Sequence, residues 1–485
     1  MTKLFCLLLA ILVQTQAEFE RIPALVKEAL SEGSREQIDV RLAPGVYFYD
    51  DLFLELKDVD APEASLRLSG EDAVLVASDG GDRTYTLEKG YVDLNAMKPV
   101  DIRTEMRHAR FWPLRVPFRK HLYRLRCREI PVPKDSLGDA TLLLTQWYIS
   151  TRYPIERITK RHIYFRRDKV YETGMLSELR YGRCFPRYML CYPPKDSLLH
   201  PCSAVRFLHM DGVRLQSFAL EGIHFLGNGD RNGDWLIRMQ GVEADSLLVS
   251  GCRFEGIRSG GFWVERTDGI LLQDNEFTKC YRTCIRIQDS CLGARIISNR
   301  FIDNGYQISN GPVVNCKGGD FLISDNYFED FSYSAIGLGH HYCVESEGGL
   351  SGIVERNEIC MSEAFRSTVP RMLIDSGAIY VWTRNNGLII RNNYIHDIAG
   401  PHGNRGILCD DGTCNVHIYG NRVVRVEGTF CIDLRMFRRV GWMKGSRVHD
   451  PNTGNVMYGN IIDGRCRFRI RRSDPTSHKG ANIKL

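Results

Sequence analysis

One short step recurs through the second half of this chain and limits what the chain can fold into. An Asn, any residue and then an apolar residue appear at Asn275-Glu-Phe, Asn299-Arg-Phe, Asn326-Tyr-Phe, Asn357-Glu-Ile, Asn393-Tyr-Ile, Asn421-Arg-Val and Asn460-Ile-Ile. Successive asparagines lie 24, 27, 31, 36, 28 and 39 residues apart, and Cys252-Arg-Phe and Ile223-His-Phe hold the same place in two earlier copies. A period near 24 residues, with three short strands per unit and insertions of variable length, is the signature of a parallel β-helix. A leucine-rich repeat needs a regular Leu spacing that is missing here, and a propeller needs about 40 residues per unit. Asn suits such a corner: it tolerates left-handed backbone, and its amide can bond to the Asn one coil above. Coils would then stack at the strand spacing of about 4.8 Å.

The strands that precede these corners share a pattern. Ile285, Ile336, Ile379, Ile407 and Ile432 fall at one position and predict an inward column. Period-two alternation turns Tyr380, Trp382, Asp410, Asp433 and Arg435 outward onto one surface. Insertions at 340–351, 361–374, 399–404 and 436–454 border that surface. A flat sheet walled by loops makes a groove suited to a chain-like ligand.

The 485 residues can bury a sizeable core, and 44 glycines with few long amphipathic stretches favour an all-β chain rich in turns. A net charge of +5 is mild at this length; it fits an acidic ligand and makes no case for nucleic acid. Lys3, the apolar run Leu4 to Val13 and Thr15-Gln16-Ala17 read as a leader over residues 1–17, so a secreted or periplasmic protein is expected. No later apolar run approaches the roughly 20 residues of a membrane helix. Residues 18–82 predict a capping helix (Ile22, Leu25, Val26, Ala29 and Leu30 at helical spacing) and the first coils. Residues 83–204 lose the rhythm, interleave arginines with aromatics, and read as an inserted β-rich subdomain. The β-helix proper is expected over 205–465 and a tail over 466–485. Cys284, Cys409 and Cys431 fall inside apolar strands and read as small core residues. No cysteine pair has convincing zinc spacing, so no metal site is expected.

Acids, aromatics and histidine are densest between 375 and 415. The strings Asp375-x-Gly-Ala-Ile-Tyr, Asn393-Tyr-Ile-His and Gly406-Ile-Leu-Cys-Asp-Asp-Gly-Thr resemble secreted bacterial right-handed parallel β-helix proteins of the pectin-lyase-like superfamily. Among enzymes the chain is similar to the β-helical glycoside hydrolases, particularly family 141, over roughly 205–465 and more weakly over 38–80. Typical members have Tyr-Leu before the paired acids, where this chain has Leu408-Cys409. The resemblance implies hydrolysis of a polysaccharide or oligosaccharide by two carboxyl groups, with Asp375 and one of Asp410 and Asp411 as catalytic residues. On extended strands Asp375 and Asp410 lie too far apart unless the segment before Gly377 curls over the face. Asp410 and Asp433, on adjacent coils and offset by two residues, would be about 8 Å apart.

Tyr380, Trp382, His340, His341, Arg405, Asp433 and Arg435 are the candidate substrate-binding residues. The aromatics suit stacking on sugar rings or plain cross-strand packing, and the histidines suit hydroxyl binding or proton transfer. Hydrolysis needs no cofactor. A lyase acting on uronic acids would use Ca²⁺, which Asp410, Asp411 and Asp433 could hold. A non-catalytic glycan-binding β-helix is the third reading. The expected partner is a glycan, on a monomer, with no nucleic acid and no membrane span.

Overall fold

The asparagine step builds a ladder. In the computed structural model Asn275, Asn299, Asn326, Asn357, Asn393, Asn421 and Asn460 each pass a side-chain N–H to the Oδ1 of the next, ending on Asn482, at 2.9–3.0 Å. The same Oδ1 atoms accept the backbone N–H of the preceding rung, from Cys252 onward. All but the last asparagine are buried, so each corner depends on its neighbour for satisfied polar groups. The left-handed residue is one position earlier than the sequence suggested. Asp274, Ser298, Asp325, Arg356 and Asn392 have φ of 53° to 59°, and Gly420 and Gly459 take the same place. The ladder asparagine keeps ordinary backbone because its amide is committed to the rungs.

The structure describes residues 7–31, 36–50, 52–77, 206–227, 235–305, 311–339, 350–368, 376–399, 405–434 and 454–484, with strand segments between 100 and 191, and without 258, 281, 289, 318, 332, 383, 411–412, 429, 464–466 and 471–477. Three long parallel sheets run the length of the stack, of 13, 12 and 11 strands, here called A, B and C. Each coil visits them in the order C, A, B, as in Trp235–Gln240, Glu243–Ser250 and Arg253–Glu255. From Glu221 to Ile461 every A-to-B corner, the ladder corner, is two residues long. The corners on either side of sheet C vary, reaching from Leu434 to Val456 at one and from Cys360 to Gly377 at the other.

No coil closes its apolar face alone; stacking does so. Phe225, Phe254, Phe277, Phe301 and Phe328 form a buried column, with ring centroids 4.5–5.1 Å apart and planes within 14°. The isoleucine column is as expected: Ile285, Ile336, Ile379, Ile407 and Ile432 are fully buried and follow one another in register.

The N-terminal end is capped by the helix Gln16–Ser31, which buries Phe19, Ile22, Val26, Ala29 and Leu30. Thr15 and Glu18 form a capping box: Glu18 N–H donates to Thr15 Oγ1 and Thr15 N–H donates to Glu18 Oε2. Residues Leu7–Val13, read above as the apolar part of a leader, form a strand paired in parallel with Glu36–Leu42. The β-rich insertion interrupts the chain without interrupting the stack: Leu208–Asp211 pairs directly with Leu54–Lys57. Strands between Val100 and Cys191 pair among themselves in a separate antiparallel sheet. The expected tail corrects to one more coil, because Arg467–Ile470, His478–Lys479 and Ile483–Lys484 each extend one of the three sheets. Asn482 supplies the ladder amide that this coil needs.

Candidate active site on sheet C

Sheet C carries the predicted outward row, and its register brings Tyr380 beside Leu408 and Leu408 beside Asp433. Trp382 and Asp410 stand at the exits of consecutive strands. The Asp410 N–H donates to Val381 O at 2.9 Å, and Thr413 closes the exit by donating from N to Asp410 O and from Oγ1 to Val381 O. With its backbone fixed in this way, Asp410 receives the Tyr380 phenol: the O–H donates to Oδ2 at 2.7 Å. Diagonal neighbours on adjacent strands are within reach of an aromatic side chain. Tyr380 packs in turn against Tyr333 at 5.8 Å and edge-on to Trp382 at 6.2 Å. Tyr333 precedes its strand and was not singled out in the sequence; its ring contact with Tyr380 brings it to this cluster.

The second polar pair lies one coil on. Arg405 Nε donates to Asp433 Oδ2 at 2.6 Å, with the side chains 7% and 0% exposed. Alternation alone does not predict this contact. At the start of each sheet C strand two successive residues face the core, as Ala378 with Ile379 and Cys431 with Ile432. The residue opening a strand therefore tips over the position three further on in the next coil. Trp235 packs on Trp263, and a Cβ on Gly337 would strike Pro312. A Cβ on Gly377 would come within 3.0 Å of Leu408, and Arg405 reaches Asp433.

Outward on this sheet does not mean open to water. Asp410 is 8% exposed, Tyr380 9% and Asp433 0%, while Trp382 is partly buried. Tyr380, Trp382, Arg405, Asp410 and Asp433 each have further polar or ring partners. Tyr380 packs with Tyr333, Trp382 and Asp410 in one cluster. Between the two acids Cys409 points inward. Burial, followed by the charges of Asp433 and Asp410, holds its thiol well above the usual range, so it is no nucleophile. The Arg405 guanidinium against Asp433 also makes that carboxylate a poor Ca²⁺ ligand, since a cation there would meet a fixed positive charge. Among the described residues no group of three or more His, Cys, Asp or Glu is placed to hold a metal ion. Asp375, Asp411, His340, His341 and Arg435 lie outside the described residues.

Cysteine usage is mostly apolar: Cys252, Cys280, Cys284, Cys291, Cys316, Cys360, Cys409 and Cys414 are free and buried. Cys431, expected to be a simple core residue, is disulfide-bonded.

A family model described as "right handed beta helix region" matches residues 237–330. This is a right-handed parallel β-helix protein. A solved structure described as a glycoside hydrolase is 11% identical, with a TM-score of 0.52, and covers 98% of this chain and 96% of its own. The A-module of the mannuronan C-5 epimerase AlgE4 of Azotobacter vinelandii is 11% identical, with a TM-score of 0.46 and coverage of 97% and 90%. The periplasmic alginate epimerase AlgG is 11% identical, with a TM-score of 0.44 and coverage of 98% and 83%. At this identity the likeness speaks to the fold and not to the chemistry. No curated protein matches the sequence. Among the described residues no helix is long and apolar enough to cross a membrane.

Proposed function

We propose that this β-helix protein is a carbohydrate-active enzyme that hydrolyses glycosidic bonds in a polysaccharide or oligosaccharide outside the cytoplasm. The observation that carries the reading is the Tyr380–Asp410 pair: a carboxylate fixed by its own backbone and by a phenol, at the exit of a sheet C strand. Its Oδ2 accepts the hydrogen bond of the phenol. Asp410 then attacks the anomeric carbon or removes a proton from the attacking water. Asp375 protonates the leaving oxygen as the C–O bond breaks.

Asp411 stands as an auxiliary acid. Trp382, His340, His341 and Arg435 are assigned to the substrate. The buried pair of Arg405 and Asp433 positions the floor beneath it, and Tyr380 orients the carboxylate. No cofactor is required by this chemistry.

Release of reducing ends from a panel of purified glycans tests the proposal. Asp375→Asn and Asp410→Asn should each lower turnover by about 10²–10⁴-fold while the fold survives. Asp411→Asn should be milder. If Asp433→Asn abolishes turnover and Asp375→Asn does not, the acids on adjacent coils are the working pair. Full activity in all four variants would move the site elsewhere. A Ca²⁺-dependent product with an unsaturated, ultraviolet-absorbing end would make the protein a lyase.

A further inference from the structure

Sheet C carries a second cluster, nearer the N-terminal end of the stack and unused by the chemistry above. Arg238, Trp263, Arg286 and Asn315 follow one another in register on the same outward row that later holds Tyr380 and Asp433. Trp235 opens its strand and lies over this row, 5.3 Å from Trp263 and edge-on to it. The Arg286 guanidinium sits 5.3 Å from the Trp235 ring and 5.6 Å from the Trp263 ring, and Arg238 lies 5.6 Å from Trp263.

Among the described residues the cluster holds two arginines that no carboxylate pairs with. Among the described residues Arg286 forms no ion pair, and its Nε is buried without a hydrogen-bond partner; the Nε of Arg238 is in the same condition. Asn315 Oδ1, one coil on, is also buried without a donor. Glu265, the acid on this face, is engaged by the Trp263 indole N–H at 3.2 Å, and Arg238 bonds only to the neutral Gln240. Burial pulls the Arg286 guanidinium down to about 10, with no carboxylate opposing it. Elsewhere on the molecule arginines of this kind are matched, as Arg405 is by Asp433 and Arg391 by Glu355.

A guanidinium fork within 6 Å of two indole rings offers paired donors to a planar carboxylate, and the indoles offer faces for a sugar ring. We infer that this cluster is a binding subsite for a uronic-acid unit of the glycan, lying five coils, about 24 Å, before Asp433 along the row. The inference rests on the glycan-active reading and names its substrate class: an acidic polysaccharide that follows sheet C along the stack.

The test is calorimetric titration of the full chain with a uronic-acid oligosaccharide and with its carboxyl-reduced counterpart. Wild-type protein should prefer the acidic ligand by about tenfold to a hundredfold. Arg286→Met should erase that preference while leaving binding of the reduced ligand in place. Arg286→Lys, which keeps the charge and loses the fork, should retain part of it and serves if the Met variant does not fold. Equal affinity of wild-type protein for both ligands overturns the subsite, as does an unchanged preference in Arg286→Met. Cleavage of a neutral glycan without any acidic preference would leave hydrolysis standing and sink this inference. Arg286-dependent binding of the acidic ligand with no turnover would do the reverse.

Discussion

The asparagine ladder allows a stability prediction to be worked bond by bond. Asn357 Oδ1 accepts from Asn326 N at 3.0 Å and Nδ2 at 2.9 Å, and its Nδ2 donates to Ile323 O and Asn393 Oδ1 at 3.0 Å. Asn357→Ala removes all four bonds, but not all their partners are orphaned. Asn326 Nδ2 keeps Ile296 O, and Asn393 Oδ1 keeps the backbone N–H of Asn357. The backbone N–H of Asn326 keeps nothing among the described residues, and the Ile323 carbonyl loses a donor. At about 1–3 kcal/mol for a buried group left unsatisfied, with the carbonyl at the low end, the loss should be about 2–4 kcal/mol. Asn357→Asp keeps the acceptor and sets an oxygen against Asn393 Oδ1, so it should be no better. Asn482, the partly buried last rung, can exchange its partners for water, and Asn482→Ala should cost only about 0.5–1.5 kcal/mol. Urea denaturation followed by circular dichroism would measure both, compared at equal slope. A loss below about 1 kcal/mol for Asn357→Ala, or equal losses at the two rungs, would refute the view that the corners are held by these amides.

Three further outcomes are expected. Ile407→Asp should prevent soluble expression, since an unpaired carboxylate would replace a fully buried side chain; folded protein in the soluble fraction would contradict the inward column. Trp382→Ala should weaken glycan binding in a titration, and a large drop in Tm with binding unchanged would make it a packing residue only. Asp397 is held well below the usual carboxylate range, first by the Arg425 guanidinium and then by His396. Its folded pKa is depressed, so its contribution is present above the ordinary value near ~4 and fades as the pH falls below that value. Arg425→Ala should flatten the acid side of the stability–pH curve, and an unaltered curve would show that the pair contributes nothing.

Much of this architecture was legible because it repeats. A ladder needs Asn at each rung and a column needs Ile at each coil, so spacing alone exposed Asn357 and Ile407. What escaped was what happens once. The contact of Arg405 with Asp433 depends on two residues in succession turning inward at a corner, where period-two reasoning fails. The near-complete burial of Tyr380 and Asp433 is not something alternation reports, since it tells only which face a side chain takes. The strand Leu7–Val13 is an apolar run, and composition alone does not separate an apolar strand from the apolar part of a leader. Asp410 was found by its outward phase, but its phenol partner follows from a diagonal across two strands.

The unequal corners have a consequence for how such a molecule can change over generations. Adding a residue at the two-residue ladder corner would cut the amide chain on both sides, so that edge behaves as a spine. Beside sheet C, by contrast, doubling a loop costs only about 0.6 kcal/mol in closure entropy. Every long insertion, including the β-rich one between Ala77 and Leu208, leaves from or returns to a strand of that sheet. The connections to the sheet that carries the candidate site can therefore be lengthened, shortened or exchanged coil by coil, and a lineage can acquire a new ligand without refolding what carries it.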